Sequence, residues 1–187
     1  MRIIGGTYRG KKLLSPKDEH TRPTSDRVRE NIFNILSHGS HRFSFTNKRV
    51  LDLFAGTGAL GIESLSRGAS HATFVENHKP MAKILKENVE SFAKHSSHLV
   101  SLLEQDALSL LNKNTETPYD LIFIDPPYGT VSLLEIVEKI LSYHWLNPSG
   151  LIVIEAEKKT LIPDIKGIEI KETRTYGRTV VGFLVQR

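Results

Sequence analysis

The chain has 187 residues, 39% of them hydrophobic and 25% charged. That is enough to bury one good core and short for two independent domains. The absence of cysteine excludes a disulfide framework, a thiolate metal site and a cysteine nucleophile. The opening run MRIIGGTYRGKKLL has no apolar signal core, and no apolar run approaches a membrane span, so a cytoplasmic protein without membrane association is expected, by default a monomer. The net charge of +4 is uneven: residues 1–50 hold 11 Lys+Arg and 4 Asp+Glu, a balance of +7, and the rest hold 14 and 17, a balance of −3. A basic N-terminal quarter fits a polyanionic partner such as nucleic acid, and equally a solvated tail.

Ile3-Ile4 and Lys12-Leu13-Leu14 flank a glycine-bearing turn, Gly5 to Gly10, and predict a small hairpin. Ser15 to Arg22 reads as a connector, and Pro23-Thr24-Ser25 as a helix start. Val28, Ile32, Ile35 and Leu36 then form one apolar stripe, with Arg27 and Arg29 flanking it. From Arg49 onward strand and helix patterns alternate: VLDLF, a helix from about Ala59 to Ser66, ATFVE, and a helix from about Pro80 to Lys94. HLVSLLEQD, YDLIFID and GLIVIEA supply further strands, with Asn112 to Pro118 as a loop and Leu133 to Tyr143 as a helix. Such alternation predicts an α/β fold with a mostly parallel sheet covered on both faces. GIEIKETRTY and TVVGFLVQR, meeting at Gly177-Arg178, predict a closing antiparallel hairpin. The expected organisation is a basic extension over residues 1–48 and an α/β domain over 49–187.

In VLDLFAGTGALGIESLSRG a strand runs into Gly56-Thr57-Gly58 and then a helix, with Gly61 completing G-x-G-x-x-G. The glycines allow a tight turn and close ligand approach, and the alternative is a βα turn that binds nothing. Glu76 ends the second strand about 20 residues on, where an acid can accept from ribose hydroxyls. Asp52, just before the loop, would repel a pyrophosphate and suits an ammonium or a bridging water, which favours S-adenosylmethionine over a nicotinamide dinucleotide. Asp106, after the third strand, is placed either to accept from an adenine amino group or to cap the helix that follows.

The strand Leu121 to Ile124 ends in Asp125-Pro126-Pro127-Tyr128. An exocyclic amine on a base is a poor nucleophile, because its lone pair is delocalised into the ring. Two acceptors, the Asp125 carboxylate and the Pro126 carbonyl, would hold its two N–H bonds and favour charge localisation on nitrogen. The prolines fix the backbone direction, and Tyr128 offers a stacking face for an extruded base. The eight histidines are scattered and none sits at metal-ligand spacing from an acid, so no metal is expected.

D-P-P-Y resembles the signature of class I methyltransferases that modify an amino nitrogen. Together with MRIIGGTYRGKKL, TRPTSDRVRENIFNIL, FVE, IFIDPPY and YGRT, the chain resembles the RsmD family, bacterial enzymes that methylate a guanine N2 in 16S ribosomal RNA. The resemblance implies a Rossmann-like class I fold of seven strands with a reversed final hairpin, and S-adenosylmethionine as cofactor. It implies a cofactor set of Asp52, Phe54, Gly56, Gly58, Glu76, Asn77, Asp106 and Ala107, with Asp125 to Tyr128 on the guanine. It also places the basic segment on small-subunit RNA, naked or in a particle, and Arg22, Arg27 and Arg29 are the candidates for phosphate contacts, with solvated helix arginines as the alternative. Rival readings are methylation of adenine or protein glutamine, an RNA-binding assembly factor, and a nicotinamide dehydrogenase.

Overall fold

The computed structural model describes residues 1–16, 25–39, 41–93, 99–127, 129, 131–160 and 162–187. In chain order the elements are α1 (Asp26–His38), β1 (Arg49–Leu53), α2 (Ala59–Ser66), β2 (His71–Val75), α3 (Lys79–Ala93) and β3 (Leu99–Leu103). Then come α4 (Ala107–Leu110), β4 (Tyr119–Ile124), α5 (Leu133–Ser142), β5 (Leu146–Glu157), β6 (Ile168–Tyr176) and β7 (Thr179–Gln186). The strands form one seven-stranded sheet in the order β3-β2-β1-β4-β5-β7-β6. β1 to β5 are parallel, and β7 runs antiparallel to both β5 and β6.

β1 and β4 are buried on both faces, which is why they read as unbroken apolar runs. Their side chains alternate between two cores. Val50, Leu121 and Phe123 join one, together with Phe74 of β2, while Leu51, Leu53, Ile122 and Ile124 join the other. Helix α5 stands on the second face through Leu133, Ile136, Val137 and Ile140, and starts where the Ser132 side chain accepts from Glu135 N.

The first face is covered by α2, α3 and the N-terminal segment. Helix α1 begins at Ser25, whose side chain accepts from Val28 N at 3.2 Å. Its buried residues are Arg29, Ile32, Phe33 and Leu36, spaced i, i+3, i+4, i+7. Phe33 reaches Phe123 of β4 with ring centroids 5.9 Å apart, so α1 shares the core of the central sheet. The expected N-terminal hairpin is present as a short one, an antiparallel bridge from Arg2 to Lys12 in which Ile3 N donates to Lys11 O, Leu13 N to Met1 O and Gly10 N to Ile3 O. The donors that face away from this pairing dock the hairpin and its turn on α2. Ile4 N and Gly5 N donate to the Glu63 carboxylate, Tyr8 N to Ser66 Oγ, and Thr7 N to Ser66 O.

Gly61 sets how closely α2 lies on the sheet. A Cβ there would sit 2.2 Å from Phe74 Cε1, and the Phe74 ring is fully buried. Gly61→Ala therefore forces a shift in a packed core and is expected to cost about 1–3 kcal/mol. A thermal melt should fall by about 2–4 °C for each kcal/mol lost. An unchanged melt would show that the ring moves aside freely.

Candidate active site

The chain leaves β1 toward β2 and β3 on one side and returns through β4 and β5 on the other. Leu53 pairs with both Val75 and Ile124. The segments after β1, β2 and β4 therefore open side by side at the carboxyl ends of the strands, where open α/β sheets bind ligands. This single register brings Phe54 to Gly58, Glu76-Asn77 and Asp125-Pro126 to one edge.

The turn out of β1 is tight. Phe54 takes φ 64°, a left-handed conformation rare for a bulky residue, and Gly56 and Gly58 take φ 55° and 79°. Ala55 N donates to Val75 O, which pins the loop against β2. At Gly58 a Cβ would meet Leu85 Cδ1 of α3 at 2.5 Å, whereas at Gly56 the nearest atom would be Met81 Cε at 3.7 Å. Gly58 thus serves packing against α3, and Gly56 keeps a surface open to approach.

Two carboxylates shape this loop from beneath. Glu76 accepts from Gly56 N and His78 N, both at 2.8 Å. Asp52, only 2% exposed, accepts from Gly61 N at 2.9 Å, an atom in the first turn of α2. Burial raises the Asp52 carboxyl to about 8, against the opposing Gly61 bond and with a further push from the Glu76 charge. Asp106 accepts from Ser109 N at 2.8 Å and caps α4. Both expected roles can coexist there, because the cap uses one of its two oxygens. Ala107 is buried and Asn77 is exposed beside Glu76.

Beyond β4, Asp125 is half-buried, Pro126 buried and Pro127 exposed. Tyr128 lies outside the described residues, as do Arg22, Pro23 and Thr24. Arg27 is exposed. Arg29, expected at an RNA phosphate, is instead wholly buried, and its Nη2 donates to Arg2 O at 2.8 Å and Asp26 Oδ1 at 2.6 Å. It sits on the apolar stripe of α1, three and four residues before Ile32 and Phe33, so it faces the core. Residues the sequence reading passed over are Thr57, Glu63 and Asn88. Asn88 carried a signal: it is a polar residue on the face of α3 shared by Leu85, Val89 and Phe92. Among the described residues, no group of three or more His, Asp or Glu is arranged to hold a metal ion, and no helix is long and apolar enough to cross a membrane.

A mostly parallel seven-stranded sheet with a reversed last strand, a glycine turn after β1 and an acid after β2 defines a class I methyltransferase. Residues 1–185 match the family model described as Conserved hypothetical protein 95. Ribosomal RNA small subunit methyltransferase D of Haemophilus influenzae is 38% identical over 177 residues, spanning 94% of this chain and 89% of that protein. The Escherichia coli K12 protein of the same name is 36% identical over 165 residues, 88% and 79% of the two chains. The solved structure of yhhF from Escherichia coli, provisionally described as a methyltransferase, superposes with a TM-score of 0.86 at 32% identity, covering 100% and 98% of the two chains. The chain belongs to the RsmD family of methyltransferases.

The raised Asp52 carboxyl makes a pH prediction. The folded state holds a proton that the unfolded chain loses near 3.8, so this group's stabilising contribution is full below 3.8 and lost as pH rises through about 8. Asp52→Asn keeps an oxygen for Gly61 N and cannot ionise. Its melting temperature should gain on wild type as pH rises across that window. A difference between the two that stays constant with pH would show that Asp52 is charged in the fold at neutral pH.

Proposed function

We propose that this protein transfers a methyl group from S-adenosylmethionine to the exocyclic N2 of a guanine in small-subunit ribosomal RNA. The observation that carries the reading is the β2-β1-β4 register, which sets the glycine turn and Glu76 beside Asp125-Pro126. The names of the relatives supply the substrate class.

The residues at the edge suit this cofactor. Gly56 leaves room for a ligand against the backbone. Glu76 is placed to take ribose hydroxyls, with Asn77 beside it, while Asp106 and Ala107 flank the adenine position. Asp52 and Glu76 bring two acids under a loop that would receive a cationic ligand, and a positive charge there would draw the Asp52 carboxyl back toward its ionised form. When bound, S-adenosylmethionine supplies an electrophilic methyl group on sulfur.

The chain's own task is to present the nitrogen in line with that methyl. Asp125 and the Pro126 carbonyl accept the two N–H bonds of the guanine amine, which aims its lone pair. Asp125 acts as an acceptor that orients the amine, since the proton becomes acidic only after the nitrogen gains positive charge. Pro127 holds the chain direction, and Tyr128 takes the stacking role on the base. The guanine must leave its stack to reach the edge, so a loop or splayed nucleotide is the substrate. Exposed Arg9, Lys12 and Arg27 supply phosphate contacts that orient the RNA.

The test is incubation of radiolabelled S-adenosylmethionine with small-subunit particles or RNA from cells lacking the activity, followed by nucleoside identification. Wild type should label N2-methylguanosine, and Asp125→Ala should lower the rate by about 10²-fold or more. Label in another nucleoside would overturn the guanine assignment. An unaffected Asp125→Ala rate would remove Asp125 from the site.

A further inference from the structure

Asn88 lies midway along α3, 3% exposed on an otherwise apolar face. Its side chain makes three hydrogen bonds. Nδ2 donates to Thr57 O at 2.9 Å and to Leu14 O at 3.1 Å, while Oδ1 accepts from Leu14 N at 2.7 Å. The orientation of the amide is fixed by this pattern, because the reversed group would set its oxygen against two carbonyls. Thr57 is the residue between Gly56 and Gly58. Leu14 is the last residue of the hairpin that carries Arg9 and Lys12. One buried side chain therefore clamps the middle of the glycine turn to the end of the N-terminal segment. A second contact joins the same parts, with Thr57 Oγ1 3.5 Å from Met1 Sδ.

The other hydrogen bonds of the turn lie at its ends, with Ala55 N donating to Val75 O and Gly58 N to Ala55 O. Gly56 and Gly58 are the residues with the widest backbone freedom, and both adopt positive φ. Glu76 anchors the entry to the turn through Gly56 N, and Asn88 anchors its centre through Thr57 O. The hairpin has anchors of its own on α2, at Glu63 and Ser66. Loss of the Asn88 amide therefore removes the anchor at the centre of the turn and leaves most of the hairpin docked.

The geometry points to Asn88 as a positioning residue for cofactor binding, which builds residues 1–14 into the support of the glycine turn. This rests on the reading of that turn as the S-adenosylmethionine site. In that arrangement the segment assigned to RNA is also a strut of the cofactor site.

The experiment is calorimetric titration of the full chain with S-adenosylmethionine, for wild type, Asn88→Ala and Leu14→Pro, together with steady-state kinetics on the RNA substrate. Leu14 is 51% exposed, so its proline variant removes the N–H donor without opening a core cavity, and it keeps the test usable if Asn88→Ala does not fold. Asn88→Ala should raise the cofactor Kd and KM about tenfold, the effect of losing a hydrogen bond to a buried carbonyl. Leu14→Pro should move them about threefold in the same direction. The KM for RNA should stay within about twofold in both, because the hairpin that carries Arg9 and Lys12 stays anchored on α2 through residues 4–8. A lower melting temperature with cofactor Kd unchanged would make Asn88 a purely structural residue and overturn the assignment. Wild-type protein that binds no S-adenosylmethionine would overturn the proposed function along with it, whereas a tight wild type with equally tight variants sinks this inference alone.

Discussion

Because β1 is hydrogen-bonded in parallel to β2 on one edge and to β4 on the other, consecutive crossovers must diverge from it in opposite directions. The crevice between the divergent connections is fixed by backbone pairing before any side chain is considered. The glycine turn, the acid after β2 and the acid after β4 all inherit their places from that pairing. A change of one residue in the β1-β4 register would invert the faces of β4, sending Phe123 and Ile124 to the wrong cores. The site is therefore held as firmly as the core is.

Around this frame, three acids do similar work at different depths. Asp52 binds the first turn of α2, Glu76 binds Gly56 and His78, and Glu63 binds Ile4 and Gly5. Each spends its oxygens on backbone donors that have no partner in a helix or sheet ladder. A hydrogen bond to a charged carboxylate contributes about 1.5–3 kcal/mol and one to the protonated Asp52 carboxyl about 0.5–1.5 kcal/mol, and more is lost when a buried donor is left unmet. Glu63 adds Arg67, 2.8 Å from its Oε1, and the Arg67 guanidinium covers the Phe33 ring at 4.8 Å. Helix α2 thus joins the glycine turn, the N-terminal hairpin and α1.

Much of this was legible in the residues. Alternating apolar runs placed α2, α3 and α5 to within about a residue, and the strand-turn-helix context located the glycine turn. The reversed hairpin was visible at Gly177-Arg178. Which of its strands lies inside the sheet was also written there: TVVGFLVQ is a nearly unbroken apolar run, while IEIKETRTY alternates with charge, as an edge strand does. What escaped was the direction of polar side chains inside apolar stripes. Arg29 and Asn88 each occupy a core-facing position in an amphipathic helix, where composition reads them as surface charge or filler. Periodicity places such residues on a face, but apart from Asp26, one turn before Arg29, their partners, Arg2 O for one, Leu14 and Thr57 O for the other, come from segments that only the fold brings near.

The position of β7 between β5 and β6 has a consequence for how the molecule is made. Vectorial synthesis delivers β5 before residues 179–186, and although β5 pairs with β4 on one side, its other edge has no neighbour until β7 arrives. Until then the outer edge of β5, with Ile152 and Ile154 along it, is an open template for unwanted pairing. Non-local pairing of this kind is slow to nucleate and exposes apolar surface while it waits. The nascent protein should therefore be most vulnerable to aggregation in the interval between emergence of β5 and insertion of β7, and helpers that shield strand edges would matter most then.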